Sequence, residues 1–199
     1  GALDQAGQLV QNIREKAIQA ASAAQSPASL KAIQAEIGQS LDALKDIAGQ
    51  TSFNGQQLLS GSFTGREFQV GPDAGQTVTI SLGSIDPSQI SDSENGTLTD
   101  IDVTTMEGAQ SAIAMADAAL DYISGQRSQV GSTVNRLEST IGNLSNSRIN
   151  TLEAESRIRD LDFAEESINL NRLKLLARAK AFAQAQAGNV SQQIVDVFE

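Results

Sequence analysis

Between Glu107 and Glu155 the chain carries no proline, and its glycines before Gly142 are limited to Gly108, Gly125 and Gly131. Steps of three and four residues place Ile113, Ala116, Leu120, Ile123, Val130, Val134, Leu137, Ile141 and Leu144 on one stripe, interrupted by Arg127. That spacing is the seam of a helix packed lengthwise against other helices. Beyond Leu144 the apolar positions return one place late, at Ile149 and Leu152, the signature of a stutter that locally unwinds a supercoil. A helix over 107–155 reaches roughly 70 Å at ~1.5 Å per residue. The expected fold class follows: mostly α, an elongated, coiled-coil-like rod of long antiparallel helices.

The rest of the chain fits around that rod. Leu3, Ala6, Val10, Ile13, Ala17, Ala20 and Ala24 share one face of a predicted helix over 1–25, and its small residues permit close approach of a neighbour. Ser26 and Pro27 are a cap and a first-turn proline for a second helix over 27–48. Its stripe is Leu30, Ile33, Ile37, Leu41, Leu44 and Ile47, with Gly49 as the expected stop. Phe53-Asn54-Gly55 signals a turn. Residues 66–70 and 77–82 alternate polar and apolar around Gly71-Pro72-Asp73-Ala74-Gly75, which predicts a β-hairpin over 66–82. Phe68, Val70, Val78, Ile80 and Leu82 would form its inner face, covering the helices.

Residues 83–106, rich in Ser, Asp, Thr and Asn, read as a surface loop. Asp92-Ser93-Glu94-Asn95-Gly96 looks superficially like a calcium loop, but its glycine falls one position early and no Glu closes it, so a solvated turn is the better reading. Residues 154–166 alternate charge signs as a hinge or a helix continuation. Ile168, Leu170, Leu173, Leu175, Leu176 and Phe182 then make a helix too widely apolar to stand alone in water. Gly188-Asn189 should break that helix before an amphipathic end containing Val190, Ile194, Val197 and Phe198. The division expected is a rod domain over 1–155 and a C-terminal arm over 156–199.

Composition narrows function. The chain has no Cys and no His, which removes thiol nucleophiles, imidazole bases and thiolate or imidazole metal sites. A formal net charge of −10 repels nucleic acid and acidic membrane surfaces. No run of apolar residues is long enough to span a bilayer, and no cleavable secretory signal is visible. Glu165-Glu166 and Asp160/Asp162 are the densest acidic clusters, and neither has an oxyanion-donor motif nearby. No catalytic, cofactor-binding or metal-binding residue is therefore singled out, and no enzymatic activity is expected.

Several blocks resemble bacterial flagellin in order along the chain. They are Gly1-Ala2-Leu3, the run Gln11-Asn12-Ile13-Arg14-Glu15-Lys16-Ala17-Ile18-Gln19, Ile33-Gln34-Ala35-Glu36-Ile37, and Gly49-Gln50-Thr51-Ser52-Phe53-Asn54-Gly55. Gln69-Val70-Gly71 with Gly75 to Ile80 resembles the family's hairpin. Asn135-Arg136-Leu137, Asn143-Leu144, Glu155-Ser156-Arg157-Ile158 and Ala185-Gln186-Ala187 complete the likeness.

The resemblance implies a structural, self-assembling subunit of the extracellular flagellar filament that supports motility and is exported through the flagellar channel. A hook-associated protein of the same architecture is the alternative. It also implies an assembly and chaperone-binding arm at Ile168, Leu170, Leu173, Leu176, Phe182, Val190, Ile194, Val197 and Phe198, with the flagellar export chaperone as partner. A patch of Ile13, Arg14, Glu15, Ala17, Ile18 and Glu36 corresponds to the family's contact with the host Toll-like receptor. Here Asn12 and Lys16 stand where the family usually has arginine and leucine, so weak receptor signalling is expected. The chain departs from the pattern in three places. It starts inside the family's first rod helix, which suggests a truncated or proteolytic product. Only residues 83–106 separate the hairpin from the long helix. Gly188 interrupts the usual Ala-Asn pattern of the tail.

Overall fold

A computed structural model describes the backbone of residues 1–22, 25–92 and 94–198, and their side chains except Leu161 and residues 187–198. The chain is mostly α. Helices α1 (Ala2–Ala20), α2 (Pro27–Gln50) and α3 (Met106–Phe198) carry it, with three two-stranded antiparallel ribbons between α2 and α3. These are β1 (Ser52–Phe53) with β2 (Gln56–Gln57), β3 (Arg66–Gln69) with β4 (Thr77–Ile80), and β5 (Ser91–Asp92) with β6 (Gly96–Thr97). Residue contacts group the chain into two compact units, Gly1–Ile141 and Gly142–Glu199.

In the first unit the α1 and α2 stripes are buried as the spacing predicts, whereas α3 turns a different face inward, with Ile113 and Leu120 of its expected stripe only half-buried. Ala6, Val10, Ile13, Ala17 and Ala20 of α1 are buried. So are Ile33, Ile37, Leu44 and Ala48 of α2, with Leu30, Leu41 and Ile47 packed at the margin. From α3, Ala109, Ala112, Met115, Ala116, Ala119 and Ile123 join them. Alternating alanine with larger aliphatics lets the helices approach closely while each buried Ile or Leu still contributes about 1.5–3 kcal/mol. Two ion pairs fix the antiparallel register of α1 and α3. Asp4 Oδ1 meets Arg127 Nη2 at 2.8 Å, and Asp117 Oδ1 accepts from Arg14 Nε at 2.5 Å. Ten residues forward in α1 (14 − 4) match ten residues back in α3 (127 − 117).

The ends of the helices differ from expectation. α1 stops at Ala20 rather than 25, and Ala24 lies outside the described residues. Ser26 does cap α2, its Oγ accepting from Ser29 N at 3.2 Å. Gly49 does not end that helix, because the cap is made further on: Thr51 turns to an extended conformation and its hydroxyl donates to Ile47 O at 2.6 Å. α3 does not end at 155, nor at Gly188-Asn189, but continues to Phe198. The charged stretch prolongs it through i,i+4 pairs such as Arg159 with Glu155.

Residues 83–106 are not a solvated loop. Ile85, Pro87, Ile90, Leu98, Ile101 and Val103 are buried. Polar side chains hold the turns between them: Gln34 of α2 donates from Nε2 to Ile101 O at 2.8 Å and accepts Val103 N–H at Oε1 at 2.7 Å. Gly108 is required where this segment enters α3, since a Cβ there would lie 2.0 Å from Asp102 O. The β3–β4 register is Phe68 with Val78 and Arg66 with Ile80, so these apolar residues do share a face. Of the five, only Val78 is buried and Phe68 is exposed, so the ribbon is a poorer cover than predicted. Phe63, just before the ribbon, is buried instead.

Candidate functional site

The surface with most to offer a partner is the part of α3 that the core leaves uncovered. Within the first unit its seam is buried at Ala116 and Ile123, half-buried at Val130 and Leu137, and exposed at Val134 and Ile141. In the second unit the apolar residues stand in solvent: Ile158, Phe163, Ile168, Leu170, Leu173, Leu175, Leu176 and Phe182 are each at least half exposed, Phe163 reaching 76 %. Large apolar residues set this densely along a surface mark an interaction site. Arg172, Lys174, Arg178 and Lys180 share that helix and are also exposed.

Of the expected arm, Ile168, Leu170, Leu173, Leu176 and Phe182 thus lie together on exposed α3. The side chains of Val190, Ile194, Val197 and Phe198 lie outside the described residues. Asp160, Asp162, Glu165 and Glu166 stand on the same exposed helix.

The six residues of the expected receptor patch separate. Ile13 and Ala17 have no exposed surface and belong to the core. Glu15 and Ile18 face solvent on α1, and Arg14 is half-buried with its guanidinium engaged by Asp117. Glu36 is exposed on α2 but ion-paired with Lys16. Position in the seam should have flagged Ile13 and Ala17 as core, since both fall on the buried stripe of α1. A pocket of about 210 Å³ between α1 and α3 is lined by Gln8, Gln11 and Ser124, and Asp4 and Arg127 pair with each other at its wall.

Two glutamines of α3, which carry no sign of this role in the sequence, dock the segment that follows β4. Gln126 Oε1 accepts Gly83 N–H at 2.9 Å, and Gln129 Nε2 donates to Ser81 O at 3.2 Å. Three aspartates hold turns in the same region. Donation from the Ser88 hydroxyl holds the Asp86 carboxyl below the usual carboxylate range against the opposing effect of burial, with the Ser88 N–H and the charge of Lys45 adding lesser support. Thr97 does the same for Asp100, and Thr104 for Asp102, each through its hydroxyl first and its N–H second.

Comparison with known proteins places this geometry. The family model for the bacterial flagellin N-terminal helical region matches residues 1–64, and that for the C-terminal helical region matches residues 113–198. A flagellin of Halalkalibacterium halodurans is 34% identical over 197 residues, covering 99% of this chain and 71% of that protein. A Bacillus subtilis flagellin is 30% identical over 225 residues, covering 99% and 74%. A flagellar filament core protein of Brachyspira hyodysenteriae is 31% identical over 202 residues, covering 96% and 70%. Among solved structures, Bacillus cereus flagellin aligns with a TM-score of 0.60 at 26% identity, covering 71% of this chain and 79% of that one. FliC from Burkholderia pseudomallei shares the fold, with a TM-score of 0.61 at 20% identity over 68% and 95% of the two chains.

Proposed function

The chain belongs to the bacterial flagellin family, and from that premise we propose how it serves as a structural subunit of the flagellar filament: through the uncovered aliphatic surface of α3. One observation carries this reading. The α3 seam is buried only as far as Ile123 and half-buried at Val130 and Leu137, and from Ile141 onward its described large apolar side chains stand in solvent. Copies of the chain cover that surface by lateral and axial packing of helices, and the charged residues interspersed with it set register.

The test is polymerisation followed by sedimentation and electron microscopy. Wild-type protein forms filaments, whereas Leu173→Glu combined with Leu176→Glu leaves soluble subunits of unchanged helicity. Filament formation by the double variant at wild-type yield would overturn the proposal.

Before assembly the same arm, from Ile168 to Phe182, is the docking surface for the export chaperone, which shields it from aggregation on the way to the extracellular filament. A chaperone that binds wild type and not the double variant would support this role.

Host receptor recognition is a second, weaker activity. Support comes from Glu15 and Ile18, which are accessible, while Arg14 and Glu36 are already paired with Asp117 and Lys16. A receptor must break these pairs to use either group, so signalling is weak. A reporter-cell assay with full potency would contradict that.

A further inference from the structure

We propose that Asn54 is a site of spontaneous covalent modification, deamidating through a cyclic imide mainly to isoaspartate, and that the fold directs this chemistry to Asn54 and away from Asn95. The sequence contains two Asn-Gly pairs, Asn54-Gly55 and Asn95-Gly96. Glycine favours the reaction because no side chain obstructs its nitrogen. That nitrogen attacks Cγ of the asparagine, the new N–Cγ bond closes a five-membered ring, the Cγ–Nδ2 bond breaks, and ammonia leaves carrying the amide proton. Water then adds to one of the two ring carbonyls, opening the imide to aspartate or, by cleavage on the main-chain side, to isoaspartate. No oxidant or cofactor enters the balance.

The two sites differ in what restrains the reacting atoms. Asn95 donates from Nδ2 to the Asp92 carboxylate, and Gly96 lies in the β5–β6 pairing opposite Asp92. Both the electrophile and the nucleophile are therefore held. Asn54 and Gly55 form the exposed two-residue tip of the β1–β2 ribbon, with φ of +50° and +76°. Among the described residues, neither the Asn54 carboxamide nor the Gly55 N–H has a hydrogen-bond partner. Ring closure needs the Asn54 backbone to swing out of this tight turn. The ribbon that must open for it is only two residues long on each side and exposed throughout, which puts opening at the low end of the stability scale.

The product changes the structure around it. Isoaspartate inserts a main-chain methylene into a two-residue loop whose closure depends on both central residues having positive φ. The Ser52–Gln57 and Phe53–Gln56 pairing is lost, and with it the Gln57 Nε2 bond to Gly49 O, 2.9 Å, that ties the ribbon to the end of α2. Each modified tip also gains a negative charge.

The experiment is peptide mapping of the intact chain incubated in mildly alkaline buffer, with isoaspartate located by electron-transfer fragmentation, and with the denatured chain as reference. In the folded protein Asn54 converts about tenfold faster than Asn95, the ratio expected if restraint at Asn95 adds about 1.4 kcal/mol to opening. In denaturant the two rates converge. Equal rates in the folded protein, or conversion at Asn54 no faster than at the helical Asn135, would overturn the proposal.

Discussion

Gln34 shows how one side chain decides the course of a segment. Its carboxamide joins α2 to the strand-like entry of α3 by giving one hydrogen bond to Ile101 and taking one from Val103. Gln34→Ala strands both backbone groups and should destabilise the fold by about 1–3 kcal/mol in urea unfolding. Gly108→Ala should cost a similar ~1–3 kcal/mol, because the methyl meets Asp102 O and α3 must shift to admit it.

Acid sensitivity belongs at this scale too. Asp86, Asp100 and Asp102 have carboxyls held below their ordinary values by Ser and Thr donors. A depressed folded value contributes stability that is present above the unfolded value and lost as pH falls through the folded one. Unfolding midpoints should therefore decline as pH drops below the ordinary aspartate range, and Asp86→Asn should flatten that decline. The donor each of these aspartates accepts from is not legible in the sequence, where 83–106 reads as a polar surface loop. Gln34 was equally hidden, since a glutamine in a helix carries no sign of what it will reach.

At the scale of elements, the helical seams were legible because every third or fourth residue of α1 and α2 is aliphatic and the two helices bury the same stripe they display. Ser26 capping α2 was legible for the same local reason, and Ser26→Ala should cost about 1 kcal/mol. Segment 83–106 was misjudged because its buried residues, Ile85, Ile90, Leu98, Ile101 and Val103, are spaced irregularly and outnumbered by polar ones. The sharpest check is a pair of truncations. Ile85→Ala should cost about 2–5 kcal/mol by leaving a cavity, whereas Ile158→Ala, on the exposed part of α3, should stay within about 0.5 kcal/mol in the monomer. Helix stops were the least legible feature: Gly49 and Gly188 both lie inside helices, since glycine weakens a helix by only about 1 kcal/mol and neighbouring residues outvote it.

For the whole molecule the decisive contrast is between apolar surface already buried among α1, α2 and 83–106 and the exposed apolar surface of α3 that is proposed to pack against another copy. Carboxylates, paired charges and turn-holding aspartates serve the first. The second is proposed to lie on α3, where Ile168, Leu170, Leu173, Leu176 and Phe182 of the expected arm are exposed, and the side chains of Val190, Ile194, Val197 and Phe198 lie outside the described residues. Hydrogen exchange on free subunits and on polymer tests this contrast most directly. Exchange should be slow in the α1–α2 core of both samples, and protection at residues 142–186 should be low in the subunit and rise strongly on polymerisation. Strong protection of 168–185 in the free subunit, or filaments in which those amides exchange as fast as before assembly, would contradict it.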